Sequence, residues 1–125
     1  VNTTPIDHKI EFMVFDKEFK QFLIRKKFNV GRSYIWVYCL KDGTGGQNSL
    51  EWCIDNEDGF GVMQLTALRS TTGEKIYNHM IVKDVLEDYH LIDMFDYYKM
   101  WTLVGEDLEI VGNRFQHSEL LELCK

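Results

Sequence analysis

Four histidines, three cysteines and one acidic cluster are the groups in this chain with chemistry to offer. His8, His79, His90 and His117 lie too far apart to form a sequence-local metal site. If the segment around them is helical, His90 and Asp93 share a face at i, i+3, a ligand pair lacking third and fourth partners. Cys39, Cys53 and Cys124 are odd in number, widely spaced and without a C-x-x-C pair, so neither a disulfide framework nor a zinc ribbon is implied. Reduced, buried thiols are expected, because a thiol inside an apolar strand behaves as a small hydrophobe. No Ser stands in a G-x-S-x-G elbow. No catalytic constellation emerges, no cofactor or metal is implied, and the chain reads as a non-enzyme. An enzyme of unrecognised type, using His79 or His90, stands as a third class of reading.

Two loops invite a ligand and fail on spacing. In Asp55-Asn56-Glu57-Asp58-Gly59 the oxygen ligands suit a hard cation, but a calcium loop needs acidic or amide residues at its first, third and fifth positions and Gly at its sixth. Counting back from Gly59 puts Ile54 first, so a hairpin tip is expected. The run "KDGTGGQNS" resembles a phosphate cradle in its glycines, yet lacks the Gly-Lys-Ser/Thr ending. The strand-like segment after it would supply no helix N-terminus.

The basic run Arg25-Lys26-Lys27, with Arg32 beyond it and Phe22, Phe28, Tyr34 and Trp36 interleaved, has the composition of a nucleic-acid stacking surface. Strand alternation is expected to turn several of those aromatics inward as core, which removes the platform. Charge is unevenly spread: residues 1–41 hold eight Lys/Arg against four Asp/Glu, and residues 42–125 hold six against sixteen. The acidic majority disfavours non-specific binding to a phosphate backbone by the whole surface, while a local basic patch can still act.

The elements that must position these groups are mostly strands. "IEFMVF" and "QFLIRKKF" predict a hairpin turning near Asp16 to Lys20, and "SYIWVYCL" predicts a strand buried on at least one face. "SLEWCI" and "VMQLTAL" continue a meander on either side of the acidic tip, and "IYNHMIVKDV" and "DLEIVGNRF" supply later strands. The fold class is mainly β, with about five to seven strands. In "DVLEDYHLIDMFDYYKMW" the apolar spacing predicts a short helix over about 85–97, and "HSELLELCK", with Ser118 as N-cap, predicts another over about 118–124.

A chain of 125 residues with 45% hydrophobic and 14% aromatic composition fits one domain, 1–125, with its own core. One proline and the absence of a long linker agree with that. No long apolar run is present, and "VNTTPIDHK" lacks the charged-then-apolar order of a secretion signal, so no membrane association and a cytoplasmic location in a bacterial cell are expected.

Three segments together resemble the YopX family of small phage and prophage proteins. "IEFMVFDKEFKQFLI" is similar to that family's opening; "MQLTALRSTTGEKIYNHMIV" to its Met-Gln-aromatic-Thr-Gly-Leu run, polar turn and Lys-Glu-Ile-Tyr-Glu-Gly-Asp-Ile-Val; and "LEIVGNRFQHSELLE" to its closing strand and helix. They cover roughly half of the chain in the family's order. The chain departs from the pattern at Ala67, at Asn78-His79-Met80 in place of Glu-Gly-Asp, and at Ser118 in place of Pro. The resemblance implies a β-rich domain with an SH3-like barrel portion. Gly73, Gly112 and Asn113 are expected as turn residues that determine the fold, while Gln64 and Thr66 are expected to bond loop backbone locally.

The family offers no established activity to carry over. The leading expectation is a phage or prophage accessory protein acting by protein–protein binding, with a host factor or with itself as a homo-oligomer. The expected contacts are exposed members among Tyr89, Phe95, Tyr97, Tyr98 and Trp101. The alternative is a nucleic-acid-binding module using Arg25, Lys26, Lys27 and Arg32.

Overall fold

A computed structural model describes residues 11–43 and 46–125. His8, Ile10 at the start of the first predicted strand, and Thr44 and Gly45 of the Gly-rich loop lie outside the described residues. Strands β1 (Phe12–Asp16), β2 (Gln21–Phe22), β5 (Phe60–Arg69) and β6 (Lys75–Tyr77) form a four-stranded sheet in the order β2-β1-β5-β6. Strands β3 (Ile24–Val30) and β4 (Ser33–Cys39) form a two-stranded ribbon, and β7 (Met80–Lys83), β8 (Tyr89–Leu91) and β9 (Glu109–Asn113) a sheet in the order β8-β7-β9. The fold is mainly β and its sheet curls into a half-barrel. The nine strands among the described residues exceed the expected number because the chain breaks at Leu23 and at Asn78-His79, and because β8 replaces part of a predicted helix.

The first hairpin turns where expected. Asp16 is buried, and its Oδ1 accepts the Glu18 and Phe19 backbone N–H groups at 2.9 and 3.0 Å, which closes the turn to β2. β5, the longest strand, pairs along β1 from Phe12↔Gln64 to Asp16↔Phe60. On its other side the register slips before β6, and the Thr66 hydroxyl fills in by donating to the Ile76 carbonyl at 2.6 Å and accepting from Leu68 N–H at 3.2 Å.

The expected strand over "SLEWCI" is a helix, α1 (Leu50–Asp55). Ser49 Oγ accepts the Trp52 N–H at 3.2 Å, Glu51 stands in the first turn, and Cys53 is the residue it buries. A cap and one buried thiol suffice to dock so short a helix. The acidic tip is therefore a helix-to-strand turn rather than a hairpin tip.

The predicted helix over 85–97 is also corrected. Asp84 Oδ1 accepts the Leu86 and Asp88 N–H groups at 2.9 and 3.0 Å, and Glu87 is left-handed at φ 65°, so residues 84–88 form a turn. Tyr89–Leu91 then pairs with β7, and the helix in this region is α2 (Tyr97–Leu103), capped by Asp96 accepting Lys99 N–H at 3.1 Å. Near the end, Ser118–Leu123 is a 3-10 helix; its cap position is His117, not Ser118, and no side chain caps it.

Two apolar clusters hold these parts together. Leu68, Ile76, Val82, Ile92, Leu103 and Leu108 join β5, β6, β7 and α2, with Met100 packed against them. Val14, Tyr38 and Cys53 join β1, β4 and α1. Full burial of an Ile, Val or Leu is worth roughly 1.5–3 kcal/mol, so packing rather than intrinsic propensity supplies most of the stability of these short helices. Cys39 and Cys53 are buried and Cys124 is half-buried, all unpaired.

The turn residues behave as glycine chemistry requires. Gly73 is left-handed at φ 88°. At Gly112 the β7–β9 register shifts, and a Cβ there would meet the His117 ring at 2.6 Å. Asn113, which is buried, accepts Phe115 and Gln116 N–H on its Oδ1 and donates its own backbone N–H to His117 Nδ1.

Candidate functional site

The chain passes from the four-stranded sheet to the three-stranded sheet at one peptide. Asn78 N–H donates to the Gln64 carbonyl on β5, whereas His79 N–H donates to the Ile92 carbonyl beside β8 and the His79 carbonyl accepts Arg114 N–H beside β9. The switch needs a left-handed residue, and His79 has φ 74°. Such a backbone favours Gly and costs another residue about 1–2 kcal/mol.

Beside this seam lies a cleft of about 600 Å³. Asn78, His79, Gln64, Lys17 and Arg114 contribute polar side chains, Glu57 and Asp58 contribute carboxylates, and Phe12, Val62, Met94 and Phe115 contribute an apolar floor. Phe115 stacks on Phe15 with ring centres 6.1 Å apart and meets the His79 ring edge-on at 5.5 Å. Gly61 makes room for it, since a Cβ there would stand 2.6 Å from the Phe115 ring. The Asn113 turn places Arg114, whose guanidinium lies 3.4 Å from His79 Nδ1. Burial first, and then the Arg114 charge, push the His79 imidazole below its ordinary value, so it is neutral at pH 7.

His90 sits apart from this cleft's lining. Its Nε2 lies 2.8 Å from Asp84 Oδ2, an ion-pair geometry that holds the Asp84 carboxyl below its usual value. Its Nδ1 is buried without a hydrogen-bond partner among the described residues. His90 and Asp93 share no helix, so the expected i, i+3 pairing does not form. Among the described residues no three His, Cys, Asp or Glu side chains come together as a metal site would need. Cys53 is raised to about 11, by burial and then by the Asp16 charge.

The second feature is the β3–β4 ribbon. Its base is anchored by buried Val37, Tyr38 and Cys39, but every residue from Ile24 to Trp36 is exposed. Cross-strand partners in a ribbon share a face. One face carries Arg25, Lys27, Tyr34 and Trp36, with the Arg25 guanidinium 4.3 Å over the Trp36 ring and Lys27 Nζ 4.4 Å over Tyr34. The other carries Ile24, Lys26, Phe28, Val30 and Ile35, a largely apolar surface that no described residue buries. The expectation that several of the aromatics Phe22, Phe28, Tyr34 and Trp36 turn inward as core is overturned for Phe28, Tyr34 and Trp36, which are exposed. Phe22 alone is partly covered, packed against Phe15. Arg32 stands in the turn at the ribbon's end.

Phe95, Tyr97, Tyr98 and Trp101 are exposed, Tyr98 at 81% and Trp101 at 77%, because α2 turns Met100 and Leu103 toward the core and its aromatic face outward. Tyr89 is half-buried in β8 and bridges to Cys124. Arg114 was not anticipated; nothing in spacing links it to His79, and the nearest signal was the turn residue Asn113 before it. Among the described residues no helix is long and apolar enough to cross a membrane.

Comparison with protein-family models gives no match, and comparison with curated proteins gives none either.

Proposed function

We propose that this chain is a non-enzymatic accessory protein of phage or prophage type, YopX-like with an SH3-like barrel portion, that works by protein–protein contact and first of all by association with a second copy of itself. The observation that carries the reading is the ribbon, exposed from Ile24 to Trp36 among the described residues. Residues 24–39 hold Arg25, Lys26, Lys27 and Arg32 with no acidic residue, and offer apolar side chains on both faces. Residues 84–109, which include the exposed aromatics of α2, hold eight acidic residues against one Lys. The two surfaces carry opposite charge and each exposes apolar side chains, so two copies can exchange reciprocal contacts about a two-fold axis. Aromatic and Arg side chains are the usual anchors of such contacts.

A mixing experiment tests this. A ribbon variant (Lys26→Glu with Lys27→Glu) and a patch variant (Glu106→Lys with Asp107→Lys) should each be monomeric, and an equimolar mixture should recover the mass of the associated protein. Association of each variant on its own as strong as that of the unaltered chain would sink the proposal.

The exposure of Tyr34 and Trp36 beside Arg25 and Lys27 favours a second reading, binding of single-stranded nucleic acid along the same face. It predicts oligonucleotide affinity that falls steeply with added salt and is lost in Trp36→Ala. No binding at low ionic strength would end it.

A further inference from the structure

We infer that the cleft beside the sheet-to-sheet seam binds an organic monocarboxylate through Asn78, His79 and Arg114. The Asn78 carboxamide is oriented by Met94 N–H, which donates to its Oδ1 at 2.9 Å, and so turns its NH₂ toward His79 Nε2 at 3.4 Å. An Arg114 guanidinium nitrogen, a donor at every accessible pH, faces His79 Nδ1 at 3.4 Å. A neutral imidazole has one lone pair and one N–H. Whichever nitrogen holds the proton, one neighbour is accepted and the other meets a donor. Protonating the ring worsens the conflict.

An oxygen acceptor seated against these groups resolves it. A carboxylate offers about four lone-pair directions on two oxygens and matches the planar guanidinium fork. Phe12, Val62, Met94 and Phe115 line the same cleft and suit an apolar body, and about 600 Å³ is ample for a small molecule. Glu57 and Asp58 also line it and oppose a second negative charge, which favours a monocarboxylate over the phosphate dianion. Among the described residues Lys17 is the other cation lining the cleft; it donates from Nζ to the Glu57 carbonyl at 2.6 Å and lies 5.5 Å over the Phe115 ring, which leaves Arg114 to face the ligand.

The test is a titration of the full chain with benzoate, acetate and inorganic phosphate at one ionic strength and pH 7, followed by the side-chain NMR signals of His79 and Arg114. Benzoate should shift both signals saturably, with acetate and phosphate weaker. Arg114→Gln, checked for an otherwise unchanged amide spectrum, should weaken benzoate by about tenfold or more. Glu57→Gln with Asp58→Asn should narrow the gap between phosphate and benzoate. The assignment is overturned if benzoate leaves His79 unmoved, if phosphate binds more tightly than benzoate to the unaltered chain, or if the Arg114→Gln protein binds benzoate as well as its parent.

Discussion

His79 and Arg114 are joined twice: the Arg114 backbone N–H donates to the His79 carbonyl at 2.9 Å, and an Arg114 guanidinium nitrogen lies 3.4 Å from His79 Nδ1. Burial and then that guanidinium hold the imidazole below its ordinary value of 6.5. Between the lowered folded value and 6.5 the unfolded chain therefore binds more protons than the folded one. The His79 contribution to stability is constant above that window and declines as pH falls through it. His79→Gln should flatten this part of the stability–pH curve. An NMR titration that places His79 at or above 6.5 would contradict the account.

Two glycines should fail for different reasons. Gly73, at φ 88° in open space, should cost about 1–2 kcal/mol as Gly73→Ala through the backbone alone, and Gly73→Asn should restore part of it. Gly61→Ala drives a Cβ into the Phe115 ring and should cost about 1–3 kcal/mol while displacing that ring from the cleft. Urea unfolding separates the cases, and a Gly61→Ala protein as stable as the parent would show that Phe115 does not rest where the structure puts it.

Burial and then the Asp16 charge raise the Cys53 thiol to about 11, so at pH 8 about one molecule in a thousand carries the thiolate. A thiol reagent should label Cys53 only after denaturation. Fast labelling of the folded chain would require an opening of α1 that the buried Val14–Tyr38–Cys53 cluster does not predict.

Strands and turns were legible where local chemistry decides them. Alternation found β1, aromatic and β-branched content found β4, the acidic tip and the "STTG" turn bracketed β5, and Gly73 marked its turn. Elsewhere the deciding fact lay outside the local pattern. "SLEWCI" alternates like a strand, but the Ser49 cap and one buried thiol make it a helix. Apolar spacing across 85–97 suggests a helix, yet Asp84 captures two backbone N–H groups and β7 offers an edge to pair with. Alternation in β3 and β4 assigns faces without saying whether anything covers them, and so hid the exposed ribbon. The cleft was illegible for a related reason: His79, Arg114 and Lys17 meet through sheet topology, which no local pattern carries.

Association through the ribbon is the central claim, and sedimentation velocity of the unaltered chain tests it most directly. From about 1 to about 100 µM at low salt the mass should rise from one chain toward two, and about 0.5 M salt should shift it back toward one by screening the charged partners. Removing the Trp36 or Trp101 anchor should weaken association by about thirtyfold. One species with the mass of a single chain at every concentration and both salt levels would contradict it.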